Sequence, residues 1–207
     1  MGGQLDHVMW IGGGSGAGKS TVAAQLADEI GGLVYSTDEV MADHAARLDA
    51  TEAPQLAAFV DMSMDERWLD RPVDEMLETF HWFAGEGFHL IVDNLTAMPT
   101  GRPIVAEGFR LLPELVAPLL SDRASAVWLL PTPEFRRRAF ESRGSLWSIA
   151  GQTSDPPRAL DRLLDRDACF TDRLRRNTAR LGLAAIDVDE SMSVHAVVRL
   201  VRATSRW

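Results

Sequence analysis

A glycine-rich stretch near the start of the chain has the residue types and spacing to bind phosphate. Residues 12–21 read Gly-Gly-Gly-Ser-Gly-Ala-Gly-Lys-Ser-Thr, and they contain the pattern G-x-x-x-x-G-K-[ST]. Glycines let the backbone curl so that successive N–H groups point at a phosphate chain. Lys19 would then reach the β- and γ-phosphates, and the Ser20 hydroxyl would ligate Mg²⁺. The predicted nucleotide-binding residues are Gly13, Gly14, Ser15, Gly16, Ala17, Gly18, Lys19, Ser20 and Thr21.

The sequence on either side of this stretch supports a phosphate-binding loop. Residues 7–11 form a short apolar run typical of a buried strand. Residues 22–30 have helical spacing, with Val22, Leu26 and Ile30 on one face, and two glycines follow. The motif therefore lies between a predicted strand and a predicted helix, which is the structural context of a phosphate-binding loop. Lys19 is also the only lysine of the chain, and the larger, planar arginine side chain is a poor substitute for lysine there.

Composition narrows the class of protein. The chain has 207 residues, 46% of them hydrophobic, which suits one globular domain with its own core. The net charge of −9 argues against a broad nucleic-acid-binding surface. A single cysteine, Cys169, excludes an internal disulfide. No apolar run is long enough to cross a bilayer, and the N-terminus does not resemble a signal peptide. We therefore expect a soluble, cytoplasmic protein with neither nucleic acid nor membrane as partner.

Two segments compete for the third strand, because residues 88–93 and 103–107 are both apolar runs that end in an acid. Only nine residues separate them, and a parallel crossover usually needs a dozen or more. They are therefore difficult to place as neighbouring parallel strands. We assign 103–107 to the strand and 86–98 to a helix, and Asp93 replaces Glu107 as the strand-end acid if this choice is wrong.

Strands and helices alternate along the rest of the chain. Further strands are predicted at 33–36, 125–130 and 184–188, and a loop at 144–157. This alternation predicts a doubly wound parallel sheet that binds its ligand at the carboxyl ends of the strands. The charges of the long helix are expected to form surface pairs. Helices are predicted at 38–48, 73–84, 111–116, 134–143, 158–181 and 192–202.

With this order of elements, the chain resembles the P-loop kinases of the nucleoside/nucleotide-kinase and shikimate-kinase-like group. The resemblance covers nearly the whole chain, and the loop is its specific motif. It implies a three-layer α/β fold with a five-stranded parallel sheet, as in the NMP-kinase-like P-loop NTPases. It further implies one domain over 1–207, an acceptor-binding helical region over 38–98 and a lid over 133–157.

The resemblance also implies roles for two acids at strand ends. Asp38 follows the second strand, 19 residues after Lys19, and an aspartate there grips or deprotonates the acceptor hydroxyl in these kinases. The alternative for Asp38 is a helix N-cap. Glu107 ends the third strand, where an acid holds a Mg²⁺-bound water or the acceptor. The alternative for Glu107 is a solvated acid at the end of the strand.

Arginines of the predicted lid would neutralise charge on the transferring phosphoryl group. Helical spacing places Arg136 and Arg143 near one face, and Arg137 about 100° away, so these arginines cannot all serve one site. We select Arg137 and Arg143 as the catalytic arginines. The alternative for each of them is a solvated position. In the acceptor region, Trp68 either stacks on a ring or belongs to the core, and His44 is expected at the surface.

These observations favour an ATP- and Mg²⁺-dependent kinase. Its acceptor would be the hydroxyl of a nucleoside, a sugar-like metabolite or an antibiotic. The catalytic residues would be Lys19, Asp38, Glu107, Arg137 and Arg143. The alternative is a nucleotide-dependent regulatory ATPase or switch without a small-molecule acceptor. A homodimer is left open.

Overall fold

Five parallel strands form one sheet. The computed structural model describes residues 5–143 and 145–206, with the side chains of 143 and 145–147 left out. The order in the sheet is β2-β3-β1-β4-β5, which places β1 at the centre. The strands are β1 Val8–Gly13, β2 Leu33–Ser36, β3 Ile104–Glu107, β4 Ala126–Pro131 and β5 Ala184–Val188.

Helices cover both faces of the sheet. Met9 and Ile11 of β1 pack on one face with Val22 and Leu26, whereas Trp10 packs on the other face with Phe170. This alternation of side chains along β1 produces the predicted three-layer arrangement. In the described part of the chain the α-helices are α1 Lys19–Ile30, α2 Met41–Arg47, α3 Pro54–Asp61, α4 Val73–Glu78, α5 His81–Ala84, α6 Phe88–Ala97, α7 Pro113–Val116, α8 Pro133–Arg143, α9 Ser145–Ala150, α10 Pro156–Leu181 and α11 Val194–Thr204.

The assignment of the third strand is confirmed. Residues Ile104–Glu107 form β3, and Phe88–Ala97 form α6. Asp93 is therefore an exposed helical residue. In the register of the sheet, Glu107 lies between Ile11 of β1 and Ser36 of β2. Its carboxylate consequently stands at the carboxyl ends of three neighbouring strands.

Three local predictions are wrong. The predicted loop at 144–157 contains α9. The predicted helix at 73–84 breaks into α4 and α5, because Phe80 between them is extended. That break lets the Phe80 ring pack 5.5 Å from the Phe59 ring. His44 is buried rather than exposed, and its Nε2 lies 2.9 Å from the Asn94 side-chain amide.

Among the described residues, no helix is both long enough and apolar enough to span a bilayer.

Candidate functional site

The phosphate-binding loop connects β1 to α1 at the carboxyl end of the sheet. Gly16 and Gly18 have φ angles of 79° and 78°, in the left-handed region that favours glycine. Gly18 is the N-cap of α1 and has no side chain with which to cap the first amides of the helix. Backbone N–H groups and the positive end of the helix dipole are therefore directed toward the loop, as an anion site requires.

Lys19 and Ser20 begin helix α1 beside this loop. The Lys19 side chain is buried, and its ammonium group donates a hydrogen bond of 2.9 Å to the Gly14 carbonyl. Ser20 is exposed, and both residues line a cavity next to the loop. A charged lysine and an accessible hydroxyl at these positions fit a Mg²⁺–nucleotide.

The loop rests on closely packed groups from β4 and α10. A Cβ at Gly12 would lie 2.2 Å from the indole nitrogen of Trp128, and one at Gly14 would lie 2.5 Å from the Thr171 hydroxyl oxygen. The Trp128 indole N–H donates a 2.9 Å hydrogen bond to the Leu111 carbonyl, which fixes the ring. Glycine is therefore required at Gly12 and Gly14, because a side chain at either position would clash with these groups.

The inner face of α8 presents Arg136 to the loop. The Arg136 side chain is buried, and its guanidinium donates a hydrogen bond to the Thr171 hydroxyl. A Cβ at Gly16 would lie 3.4 Å from Arg136 Cγ. Burial lowers the pKa of Arg136, and the charges of Asp167 and Asp172 act in the opposite direction. Arg136 therefore packs directly against the loop.

The two arginines selected from the sequence have different positions. Arg137 is exposed and forms an ion pair of 3.4 Å with Asp161 of α10, so the structure does not bring it to the loop. The reason is the 100° rotation per helical residue, which directs Arg137 away from the face that Arg136 occupies. The side chain of Arg143 lies outside the described residues.

Asp38 and Glu107 occupy different environments. Asp38 is exposed and lines the same cavity as Lys19 and Ser20. Glu107 is buried, and its Oε1 accepts a 2.7 Å hydrogen bond from the Ser36 hydroxyl. Its Oε2 atom is also buried, and it has no hydrogen-bond partner among the residues that the structure describes. A buried carboxylate oxygen without a partner fits a role in holding a water or a ligand group.

The cavity beside the loop, here called the aromatic cavity, has a volume of about 440 Å³. Asp38 and residues of the loop line it, and so do Arg166 and Asp167 of α10. Trp68 is part of the core, as one of the two interpretations predicted, and it also lines this cavity. The aromatic residues of the wall are Phe59, Trp68, Phe80, His81, Trp82, Phe83, Phe109 and Phe140.

Arg166 and Asp167 are the main residues that sequence reasoning missed. Asp167 was expected in a surface pair, but both side chains are buried, and Arg166 donates hydrogen bonds of 3.0 and 2.7 Å to Asp167 Oδ1. Neighbouring charges in a charged helix give no signal of burial, because burial here depends on the packing of α10 against α4 and against the rings of Trp68, Phe80 and Phe83. By contrast, Arg173 lies closer to the surface and pairs with Glu78 of α4, whereas the predicted pairing was with charges of its own helix.

Arg110 is a third residue that sequence reasoning missed. It is buried, and its guanidinium lies 4.0 Å from the centroid of the Trp82 ring. Burial lowers its pKa to about 10, although the charges of Tyr35 and Asp38 partly oppose this shift. Arg110 remains charged near neutral pH and contributes positive potential near Asp38.

A second cavity, here called the outer cavity, lies on the other side of the loop and has a volume of about 370 Å³. Gly18 and Thr21 line it on the side of the loop, and Val197 of α11 provides an apolar surface. Arg138 of α8 also lines it and forms an ion pair of 2.9 Å with Glu190, which follows β5. The outer cavity is therefore bounded by the loop, α8 and the segment between β5 and α11.

Metal binding by protein groups alone is not evident in the described part of the chain, where no cluster of three or more His, Cys, Asp or Glu residues is arranged to hold an ion. Mg²⁺ typically keeps several waters and binds through a few protein groups together with substrate phosphates. Ser20 beside the loop fits that mode of binding.

Comparison with known proteins agrees with this fold. A family model described as AAA domain matches residues 8–143. TT1252 from Thermus thermophilus has 21% identity and a TM-score of 0.50, with 95% of this chain and 96% of that chain covered. No curated protein sequence matches the chain.

Two solved kinases also have similar structures. A gluconokinase from Sinorhizobium meliloti 1021 has 16% identity and a TM-score of 0.48, with 97% of this chain and 91% of that chain covered. A deoxyadenosine kinase from M. mycoides has 12% identity and a TM-score of 0.49, with 95% and 97% covered.

Proposed function

The chain belongs to the AAA domain family of P-loop proteins, and from that premise we propose that it is an ATP- and Mg²⁺-dependent phosphotransferase acting on a hydroxyl group of a small molecule. The observation that carries the proposal is the aromatic cavity, which is lined by Lys19, Ser20 and Asp38 together. A regulatory ATPase needs a positioned water, whereas a cavity of about 440 Å³ has room for an organic acceptor.

Nucleotide binding is assigned to the loop and the start of α1. The loop amides and Lys19 bind the phosphates, and the Ser20 hydroxyl ligates Mg²⁺. When bound, Mg²⁺–ATP supplies the γ-phosphoryl group together with the metal charge that neutralises its oxygens. Glu107 holds a water or an acceptor group through its Oε2 atom, for which the described residues provide no hydrogen-bond partner. The outer cavity, bounded by Gly18, Arg138 and Val197, receives the nucleobase.

Asp38 is the residue that activates the acceptor. Its carboxylate orients the acceptor hydroxyl and takes its proton as the hydroxyl oxygen bonds to the γ-phosphorus. The bond from that phosphorus to the β–γ bridging oxygen breaks, and ADP leaves with the electron pair of that bond. Most of the rate enhancement then comes from positioning and from fixed positive charge near the phosphates. Lys19 and Arg136 provide such charge beside the loop.

A phosphorylation screen tests the proposal. The purified protein is incubated with Mg²⁺–ATP and individual hydroxyl compounds, and ADP release and product mass are measured. We expect at least one compound to stimulate ADP release and to gain the mass of a phosphoryl group, and we expect Lys19→Ala to abolish both effects. ATP hydrolysis that no compound stimulates would instead support the regulatory ATPase.

A further inference from the structure

We propose, on the basis of the proposed phosphotransfer, that the acceptor has a flat aromatic body and an oxygen atom that accepts a hydrogen bond from Arg166. The aromatic cavity would bind the aromatic body against its wall of rings and present the acceptor hydroxyl to Asp38. The substrate class is therefore an aromatic alcohol that also carries a carboxylate or carbonyl group, rather than a polyhydroxylated sugar acid.

The wall of the cavity is continuous aromatic surface. The Phe59 ring lies 5.2 Å from the Trp68 ring and 5.5 Å from the Phe80 ring, and the Phe80 ring lies 4.8 Å from the Phe83 ring. Each of these pairs has an edge-to-face arrangement. A sugar would lose the hydration of its hydroxyl groups against this wall and gain few hydrogen bonds in exchange. An aromatic ring loses little there and buries apolar surface.

Among the described residues, Arg166 provides a hydrogen-bond donor that has no hydrogen-bond partner beside this aromatic wall. Arg166 is 5% exposed, and its Nε and Nη2 atoms both donate hydrogen bonds to Asp167 Oδ1. Nη1 is buried and has no hydrogen-bond partner within the described residues. The guanidinium carbon lies 4.7 Å from the Phe80 ring centroid and 5.0 Å from that of Trp68. A buried donor without an acceptor destabilises the protein, and a ligand oxygen that accepts a hydrogen bond from Nη1 would remove this cost.

The surroundings of Arg166 do not require the ligand to be charged. Asp167 already offsets the charge of Arg166. Burial lowers the pKa of the neighbouring wall residue His81 to about 4, with Arg110 and Arg166 adding to the shift. The imidazole is therefore neutral near pH 7, and its Nδ1 is also buried and without a partner in the described part of the chain. A carboxylate or an amide carbonyl would satisfy Arg166 Nη1.

A set of matched probes tests each part of this substrate class. Phenyllactate has the ring, the hydroxyl and the carboxylate; lactate lacks the ring; 1-phenyl-2-propanol lacks the carboxylate; phenyllactamide replaces it with a neutral carbonyl. Binding is measured by calorimetry with Mg²⁺ and a non-hydrolysable ATP analogue. We expect phenyllactate to bind at least about thirtyfold more tightly than lactate, because its phenyl ring is buried. Equal or tighter binding of lactate or D-gluconate overturns the proposal.

Substitution of Arg166 tests the polar contact. Arg166→Met keeps the apolar stem, and the double variant Arg166→Met/Asp167→Asn avoids leaving a buried carboxylate without its partner. We expect either variant to bind phenyllactate at least about tenfold more weakly and 1-phenyl-2-propanol within twofold of the unmodified protein. Arg173→Met removes another paired arginine of α10 and should leave both affinities unchanged. Equal losses for the two probes overturn the assignment of Arg166, since they would indicate a structural effect.

Failure of this inference and failure of the proposed function have different signatures. If a non-aromatic alcohol is phosphorylated while phenyllactate does not bind, the substrate class is wrong and the phosphotransfer stands. If phenyllactate binds through Arg166 and no hydroxyl compound stimulates ADP release, ligand recognition stands and the phosphotransfer is wrong.

Discussion

The Arg136 guanidinium donates a hydrogen bond to the Thr171 hydroxyl, 35 residues later in the chain. Arg136 lies against Gly16, and Thr171 lies against Gly14, so the pair supports the phosphate-binding loop from behind. The Thr171 hydroxyl in turn donates a 2.9 Å hydrogen bond to the Asp167 carbonyl. Helices α8 and α10 are thus connected at the loop through this pair.

Substitution of Arg136 should weaken nucleotide binding, and substitution of its neighbour should not. Arg136→Met removes the bond to Thr171 and the positive charge that this bond holds behind the loop, and we expect a loss of affinity for Mg²⁺–ATP of at least about tenfold. Arg137→Met removes only an exposed ion pair with Asp161 and should change the affinity by less than twofold. Titration calorimetry with both variants measures the difference. A larger loss of affinity for Arg137→Met than for Arg136→Met would support the sequence prediction that Arg137 is the catalytic arginine.

Asp38→Asn should reduce kcat by about a hundredfold to ten-thousandfold, because the amide cannot accept the hydroxyl proton. The matched control is Asp43→Asn, which removes an exposed carboxylate whose ion pair with Arg47 is 3.3 Å long. For both variants, kcat is measured by steady-state kinetics with an acceptor that the screen has shown to be a substrate. An Asp38→Asn protein with unchanged kcat would exclude Asp38 as the base.

Gly108→Ala should destabilise the fold by about 2 kcal/mol or more, since it combines backbone strain with a steric clash. Gly108 has a φ of 146°, and a Cβ there would lie 1.7 Å from the Thr37 hydroxyl oxygen. Gly101→Ala is the control, because a Cβ at Gly101 has no atom within 4 Å and the change should cost less than about 0.5 kcal/mol. Urea unfolding of the two variants measures the difference, and equal midpoints would contradict the predicted clash.

Two buried histidines should make the protein less stable as the pH falls. Burial lowers the pKa of His44 and of His81 from 6.5 to about 4, and nearby arginines contribute to both shifts. Between these values the unfolded chain binds protons that the folded protein does not. The free energy of unfolding therefore decreases as the pH is lowered through this window, by up to about 1.4 kcal/mol per pH unit for each histidine.

Urea unfolding at pH 7 and at pH 5 tests this window. We expect His44→Gln to lose less stability between the two pH values than the unmodified protein does. The exposed residue His195 provides the control, because His195→Gln should leave the difference unchanged. An unmodified protein that is equally stable at both values would show that neither histidine resists protonation.

Local sequence was sufficient to predict the elements that depend on short-range geometry. The loop between residues 12 and 21 follows from glycine spacing, because a strand, a tight turn and a helix are contiguous there. The minimum length of a parallel crossover excludes residues 88–93 and 103–107 as neighbouring parallel strands. The choice of 103–107 follows from the Gly-Arg-Pro turn before it and the predicted helix after it. The break at Phe80 and helix α9 were missed, because they depend on how these segments pack against the rest of the chain.

The sequence by itself determined that a phosphate-binding loop lies at the carboxyl end of a parallel sheet, since the required contacts are close in the chain. Tertiary structure alone decided which arginine of α8 faces that loop: helical spacing separates Arg136 from Arg137 but does not specify which of them points inward. It also decided that Arg166 is buried among aromatic rings, because its burial depends on Trp68, Phe80 and Phe83, which lie about 83 to 98 residues away in the chain.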